Sequence, residues 1–238
     1  MPVEDPSPGE PAGMPIVAVV PAFDEGPRIA AVVQGASAHL PVVVVDDGSR
    51  DDTAARAREA GALVIPQRPN QGKGAALRAG FRHALASGCD AVVTLDADGQ
   101  HDPGEIPRFI EAFRRTGAEL VIGRRDFRRM PSVRRLSNEL GGRAFSWAVG
   151  RRIPDNQSGY RLVGRRLMED LLTSRETGFE FEVEMITTSI RAGYDVAWVP
   201  IRTIYAGEPS HVRPLVHLRH FVRIVLETRR TVRRPLDR

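Results

Sequence analysis

The chain is expected to fold as a three-layer α/β/α protein around a mainly parallel central sheet, and three observations carry that expectation. Short apolar, β-branched runs alternate with segments of helical character over the first two-thirds of the sequence. The stretches between the runs are long enough to hold a helix each, so successive strands lie parallel through right-handed crossovers. Polar clusters fall where four of the runs end: Phe23-Asp24-Glu25, Asp46-Asp47, Asp96-Ala97-Asp98 and Arg124-Arg125. Open parallel sheets bind ligands at the carboxyl ends of their strands, so the coincidence of four such clusters points to a nucleotide site.

Taken in order, Ile16 to Val20 is a strand stopped by Pro21, and Arg28 to Ala38 has helical character. Val42 to Val45 is a buried strand ending at Asp46-Asp47-Gly48-Ser49. Asp51-Asp52-Thr53 caps a helix that runs through Ala60, with Gly61 as its stop signal. Leu63-Val64-Ile65 is a short strand, and Asn70-Gln71-Gly72-Lys73-Gly74 is a turn opening a helix from Ala75 to Ala86. Ala91-Val92-Val93 forms the next buried strand, followed by a helix from Pro103 to Thr116 and a strand from Glu119 to Ile122. Beyond Pro214, apolar residues from Leu215 to Leu226 recur at three- and four-residue spacing among Arg219, His220 and Arg223, which describes an amphipathic helix with a basic side. The expected organisation is a disordered tail over 1–14, rich in Pro, Gly and acidic residues, one α/β domain over 15–210, and a basic C-terminal helix and tail over 211–238.

Composition narrows the class. The chain has a single cysteine, Cys89, which excludes an internal disulfide framework. No apolar run approaches the roughly 18–20 residues that span a bilayer, and no secretory signal opens the chain, so a cytoplasmic protein is expected. The net charge is +4, yet residues 211–238 hold eight Arg against Glu227 and Asp237, a balance of +6, so the remainder sums to −2. A nearly neutral body argues against nucleic acid as a partner, because basic groups would then track the main surface. A basic tail suits an anionic membrane surface, with peripheral attachment on the cytoplasmic face. Among 34 basic residues only one, Lys73, is lysine.

The segment from Thr94 to Pro103 carries the clearest chemistry. Along a strand, residues i and i+2 project to one side. Asp96 and Asp98 then converge on one point, with the amide oxygen of Gln100 two residues further on. Three hard oxygen ligands at this spacing suit Mg2+ or Mn2+, with phosphates completing the shell. The same spacing also occurs in an acidic turn that merely ends a strand. Neither a glycine-rich dinucleotide fingerprint nor a phosphate-binding P-loop is present, since Gly72-Lys73-Gly74 lacks the spaced upstream glycine.

Taken together, Pro21-Ala22-Phe23-Asp24-Glu25, Val44-Val45-Asp46-Asp47-Gly48-Ser49, Asn70-Gln71-Gly72-Lys73-Gly74 and Asp96-Ala97-Asp98-Gly99-Gln100-His101 resemble family-2 glycosyltransferases of the GT-A fold, a Rossmann-like arrangement. Asp155-Asn156-Gln157-Ser158-Gly159-Tyr160-Arg161, Gly178-Phe179-Glu180-Phe181-Glu182-Val183-Glu184-Met185 and Val199-Pro200-Ile201 resemble the dolichol- or polyprenyl-phosphate sugar synthase branch, typified by dolichol-phosphate mannose synthases. The resemblance implies that Pro21, Phe23, Glu25 and Asp46, with Asp47 adjacent, contact the base and ribose of a nucleotide-sugar donor. Phe23 and Asp24 stand where the family usually has Tyr and Asn. It further places Lys73 near the donor pocket, and matches Asp96, Asp98 and Gln100 to the residues holding a divalent ion on the donor diphosphate. Gly123-Arg124-Arg125 is similar to a Gly-Ser-Arg motif, which makes Arg125 a candidate for the acceptor phosphate, together with Arg134 and Ser137.

The activity implied is inverting transfer of a hexose from GDP-mannose or UDP-glucose to a polyprenyl or dolichyl phosphate. A phosphate acceptor is anionic at neutral pH and needs cations to position it rather than a strong base, a task suited to the planar fork of Arg. If the acceptor were a soluble or protein hydroxyl, Asp155 would be the natural general base. A nucleotide-sugar-binding module is the non-enzymatic alternative, against which the joint presence of Asp96, Asp98, Gln100 and Asp155 counts. Glu180, Glu182 and Glu184 alternate with apolar residues, and an exposed helix face is expected of them, of Glu182 above all. The stretch from Tyr205 to His211 resembles a loop that closes over donor and acceptor.

Overall fold

The apolar runs become strands: β1 (Ile16–Ala22), β2 (Val42–Asp46), β3 (Leu63–Pro66), β4 (Ala91–Thr94), β5 (Leu120–Arg125), β6 (Arg161–Gly164) and β7 (Val196–Ile201). Helices α1 (Gly26–Ser37), α2 (Thr53–Glu59), α3 (Lys73–Ala86), α4 (Ile106–Thr116), α5 (Ser132–Val149), α6 (Arg165–Leu171) and α7 (Glu180–Arg191) alternate with them, and one 3-10 turn, Pro103–Glu105, leads into α4. In this computed structural model the described residues are 14–125, 132–178, 180–202, 204, 225–226, 228–230 and 232, with only the course of the backbone described for 132–140.

One seven-stranded sheet runs in the order β3-β2-β1-β4-β6-β5-β7. All neighbours are parallel except β6, which is antiparallel to both β4 and β5. The alternation of side chains along each strand divides the core in two. Ala18, Val20, Val42 and Val44 pack with Ile29 and Val33 of α1, Ala57 of α2 and Phe109 of α4. Val19, Val45 and Val92 pack with Leu77 and Phe81 of α3, Phe145 of α5, Leu167 of α6 and Met185 of α7. The expected three layers follow.

Two features of this topology position a site. The chain reverses its direction of travel across the sheet at β1: β2 and β3 lie on one side and β4 on the other. Such a switch opens a crevice outside the carboxyl ends of β1 and β4. β6 then enters from that same edge, because its first residue, Arg161, pairs with Thr94 at the end of β4 and with Ile122 of β5. The segment preceding β6, which contains Asp155, is thereby delivered to the crevice.

The chain termini complete the picture in part. Of the expected N-terminal tail, 1–13 lies outside the described residues and Met14 is exposed. Residues 205–224, with the expected closing loop, His211 and most of the amphipathic helix, also lie outside them. The last described residues lie against the body: Val225 is buried, Val232 packs on the α3–α6–α7 side of the core, and the Arg229 guanidinium sits 3.7 Å from the centroid of the Trp147 ring on α5.

Gly80 shows how tightly α3 seats on the sheet. A Cβ there would lie 2.4 Å from Cγ1 of Val19, a stiff β-branched side chain. Gly80→Ala is therefore expected to destabilise the fold by about 1–3 kcal/mol through overpacking. The measurement is urea unfolding, with a lowered midpoint at an unchanged slope.

Candidate active site

The loops after β1 and β2 are stitched to each other. The Asp24 amide donates to Ser49 Oγ at 3.0 Å, the Arg50 amide to Asp24 Oδ1 at 2.7 Å, the Glu25 amide to Thr53 Oγ1 at 2.8 Å and the Gly26 amide to Asp51 Oδ2 at 3.0 Å. Asp24 adopts a left-handed backbone with φ of 54°, a conformation that Asp and Asn tolerate better than most residues. Asp51 also accepts from the hydroxyl and amide of Thr53, which holds the Asp51 carboxyl below its usual range, while the N-cap residue of α2, Asp52, makes no capping bond with its own side chain. The result is a rigid rim on which the Phe23 ring stands 43% exposed. Pro21 is half-buried within β1, and the Glu25 carboxylate is held by Arg28 at 2.9 Å.

The paired aspartates after β2 divide their work. Asp46 is buried and accepts the Ser49 amide at 3.1 Å, closing the turn. Asp47 accepts the amides of Gln71 at 2.8 Å and Gly72 at 2.7 Å, so its two oxygens fasten the loop that opens α3.

That loop explains its own glycines. Gly72 has φ of 92°, and a Cβ on it would lie 2.4 Å from Thr177 O. A Cβ on Gly74 would lie 2.8 Å from both Glu176 O and Phe181 Cβ, while the Gly74 amide donates to Thr177 O at 2.7 Å. Only glycines let the start of α3 approach the 176–178 segment this closely. Lys73 between them is thereby carried inward, with Nζ 2.5 Å from Asp96 Oδ1 and 2.6 Å from Glu182 Oε1. Burial alone would lower the lysine pKa, but the two carboxylates outweigh it and hold Lys73 charged, above its ordinary range.

Glu182 corrects the expectation of an exposed helix face: it is 5% exposed and faces α3. The physical reason is α7's place over the second core, which turns Phe181, Met185 and Ile186 inward and takes Glu182 with them to meet Lys73. Beneath it lies Arg161, fully buried, which donates Nε to Ser158 O at 2.8 Å, one terminal nitrogen to Asn156 O at 3.2 Å and the other to Glu182 O. One guanidinium thus ties the 156–158 loop to α7. Arg161 was not assigned a role from sequence, and the available signal was its place as a charged residue opening an otherwise apolar strand.

Asp96 and Asp98 reach the crevice by a turn and not by strand alternation, since β4 ends at Thr94 and residues 97–98 turn. Asp98 Oδ1 accepts the Gln100 amide at 2.9 Å, and Gln100 O accepts the Ile204 amide at 3.0 Å, so backbone groups on either side hold the turn. Burial alone would raise the Asp96 pKa; Lys73 and then His101 outweigh it and hold the carboxyl at about 2. The Asp96 amide donates to His101 Nδ1 at 3.2 Å, which leaves the ring proton on Nε2. Burial keeps the His101 pKa below its usual value, and its ring lies 5.0 Å from that of Tyr160. Gly159 closes the other side of Asp96: a Cβ there would come within 2.6 Å of Oδ2.

Across the crevice, Arg125 and Asp155 form a bidentate pair, with Nε to Oδ2 at 2.8 Å and NH2 to Oδ1 at 2.9 Å. Asp155 is 2% exposed and also accepts the Gln157 amide at 3.1 Å and the Arg125 amide at 3.3 Å. Arg134 and Ser137 lie in α5, and their side chains fall outside the described residues.

Asp96 and Asp98 put two carboxylates on the turn after β4, and among the described residues no group of three or more acidic, His or Cys side chains could hold a metal ion. Two carboxylates are the donor type that Mg2+ takes where phosphate and water fill its other positions.

The chain resembles known proteins over most of its length. The family model for Glycosyl transferase family 2 matches residues 17–172, more than half of the chain. The chain is 34% identical to the polyprenol monophosphomannose synthase of Mycolicibacterium smegmatis, over 83% of this chain and 80% of that protein. It is 32% identical to the undecaprenyl-phosphate mannosyltransferase of Micrococcus luteus, over 79% of this chain and 83% of that protein. Among solved structures, glucosyl-3-phosphoglycerate synthase from Mycobacterium tuberculosis, bound to Mn2+, UDP and glucosyl-3-phosphoglycerate, superposes with a TM-score of 0.69 at 26% identity, covering 91% of this chain and 79% of that one.

Because Arg161 satisfies three buried carbonyls at once, Arg161→Met is expected to cost about 3 kcal/mol or more. Thermal unfolding checks this, and the loss should exceed that of Arg165→Met, whose guanidinium is only 3.5 Å from a half-exposed Asp90.

Proposed function

This chain belongs to glycosyl transferase family 2, and on that premise we propose that it transfers a hexose from GDP-mannose or UDP-glucose to a polyprenyl or dolichyl phosphate, inverting the anomeric carbon. The named activities of the Mycolicibacterium and Micrococcus relatives support the acceptor class. The observation that carries the reading further is the Arg125–Asp155 pair. Both oxygens of Asp155 are engaged by the guanidinium and by amides, which suits a carboxylate that orients an arginine and not one that removes a proton. An acceptor phosphate needs no such removal; it needs a cation held in place beside the donor.

In this reading Phe23 stacks on the base, and Asp46 shapes the ribose end of the pocket. Asp47 keeps the 70–74 loop in register beside it, with Pro21 and Glu25 completing the rim. Lys73 faces the diphosphate. Asp96 and Asp98, with Gln100, would hold Mg2+ or Mn2+, which when bound offsets charge developing on the departing nucleoside diphosphate. Arg125 orients the acceptor phosphate, with Arg134 and Ser137 as further contacts, and the phosphate oxygen attacks the anomeric carbon as the nucleoside diphosphate leaves. No helix among the described residues is long and apolar enough to cross a membrane. The basic stretch over 211–238 supports peripheral attachment to an anionic membrane surface on the cytoplasmic face.

A second reading keeps the donor and takes a soluble phosphorylated acceptor. It is favoured by the shared fold with glucosyl-3-phosphoglycerate synthase, a structure of which holds phosphoglyceric acid.

Transfer from radiolabelled GDP-mannose and UDP-glucose, with Mg2+ or Mn2+, into solvent-extractable polyprenyl phosphate tests the proposal. Metal-dependent lipid label is expected from one donor, and its loss in Asp98→Ala. Label entering phosphoglycerate but not lipid would select the second reading. Arg125→Lys, which loses the two-pronged geometry, is expected to lower kcat/KM for the acceptor about 10- to 100-fold, by the 1.5–3 kcal/mol of a charged hydrogen bond, while leaving donor binding near wild type.

A further inference from the structure

Lys73 and a divalent cation make competing claims on Asp96. The ammonium lies 2.5 Å from Asp96 Oδ1. A Mg2+ ion binds a carboxylate oxygen at about 2.1 Å, so an ion on Oδ1 would stand within a few ångström of the ammonium and set two like charges against each other. The carboxylate is hemmed in besides, since a Cβ on Gly159 would lie 2.6 Å from Oδ2 and 2.8 Å from Oδ1, and His101 Nδ1 is 4.0 Å from Oδ2. Lys73 nevertheless has a second, buried partner in Glu182, at 2.6 Å, on a different element from Asp96.

We propose that Lys73 is a built-in competitor of the metal, neutralising Asp96 until a nucleoside diphosphate arrives with its ion. Pivoting on Glu182, the ammonium then passes from Asp96 to the diphosphate oxygens, which need a cation as Asp96 acquires one. Glu182 is in this scheme a positioning residue, since it touches neither sugar nor phosphate and acts by keeping Lys73 within reach of both. The consequence is coupling: metal and nucleotide each clear the way for the other, so either binds more weakly alone than together. This inference rests on the donor reading given above and adds to it the order in which charge moves at the site.

The test is Mn2+ binding to the purified full chain, followed by electron paramagnetic resonance of the free ion, with and without GDP or UDP. Lys73→Met is expected to bind Mn2+ alone about tenfold or more tightly than wild type, the scale on which one nearby charge shifts a carboxylate equilibrium. Its affinity for GDP or UDP in the presence of Mn2+ should fall. Because Lys73→Met leaves Glu182 buried without its cation, the double variant Lys73→Met/Glu182→Gln is measured beside it and is expected to show the same gain. Equal or weaker Mn2+ affinity in folded samples of both variants would overturn the competition while leaving the donor reading intact. Mn2+ that binds none of the proteins, even with GDP or UDP present, would overturn the donor reading and this proposal with it.

Discussion

A half-buried ammonium between two carboxylates organises this molecule's crevice. Lys73 comes from the start of α3, Asp96 from the turn after β4 and Glu182 from the first turn of α7, so three segments far apart in sequence meet at one charge. Burying a charge is costly unless it is paired, and here each partner's burial is tolerable only because the others are present. The glycines on either side of Lys73 and the close approach of Gly159 to Asp96 are steric conditions for that meeting. Arg161 extends the same logic one layer deeper, because it gives its hydrogen bonds to carbonyls of the 156–158 loop and of Glu182 itself.

Around this centre the carboxylates fall into two kinds. Asp24, Asp47 and Asp51 accept backbone amides of neighbouring loops and so convert flexible connections into a fixed rim. Asp96 and Asp98 stand at the edge of the crevice as oxygen donors. Asp155 belongs with the first kind in its engagement but acts on a side chain, holding the Arg125 guanidinium in a single orientation. In all of these places an acidic group fixes the orientation of an amide or a cation.

The reversed strand β6 makes the assembly possible. Had β6 run parallel to β4, its leading segment would have opened at the opposite edge of the sheet, and Asp155 would lie far from Asp96. Running antiparallel, with Arg161 opposite Thr94, it delivers the 155–160 loop to the carboxyl ends of β1 and β4, where the topological switch has already opened a crevice.

The layered α/β architecture is legible in the amino-acid order, because period and length of apolar runs are local properties: the strands near Ile16, Val42, Leu63, Ala91 and Leu120 and the helices between them can all be read there. The same order also marks polar clusters at the carboxyl ends of β1, β2 and β5 and just beyond β4, although Arg124 and Arg125 prove to be the last residues of β5 and not a turn after it. Tertiary structure alone decided the direction of β6, four buried residues with no period to read, and the burial of Glu182, whose alternating neighbourhood looked like a solvated face. It also decided the pairing of Arg125 with Asp155, which changes the chemistry available to that carboxylate. These are long-range facts: a charge's partner is set by which elements the packed core brings together, and no local pattern encodes the answer.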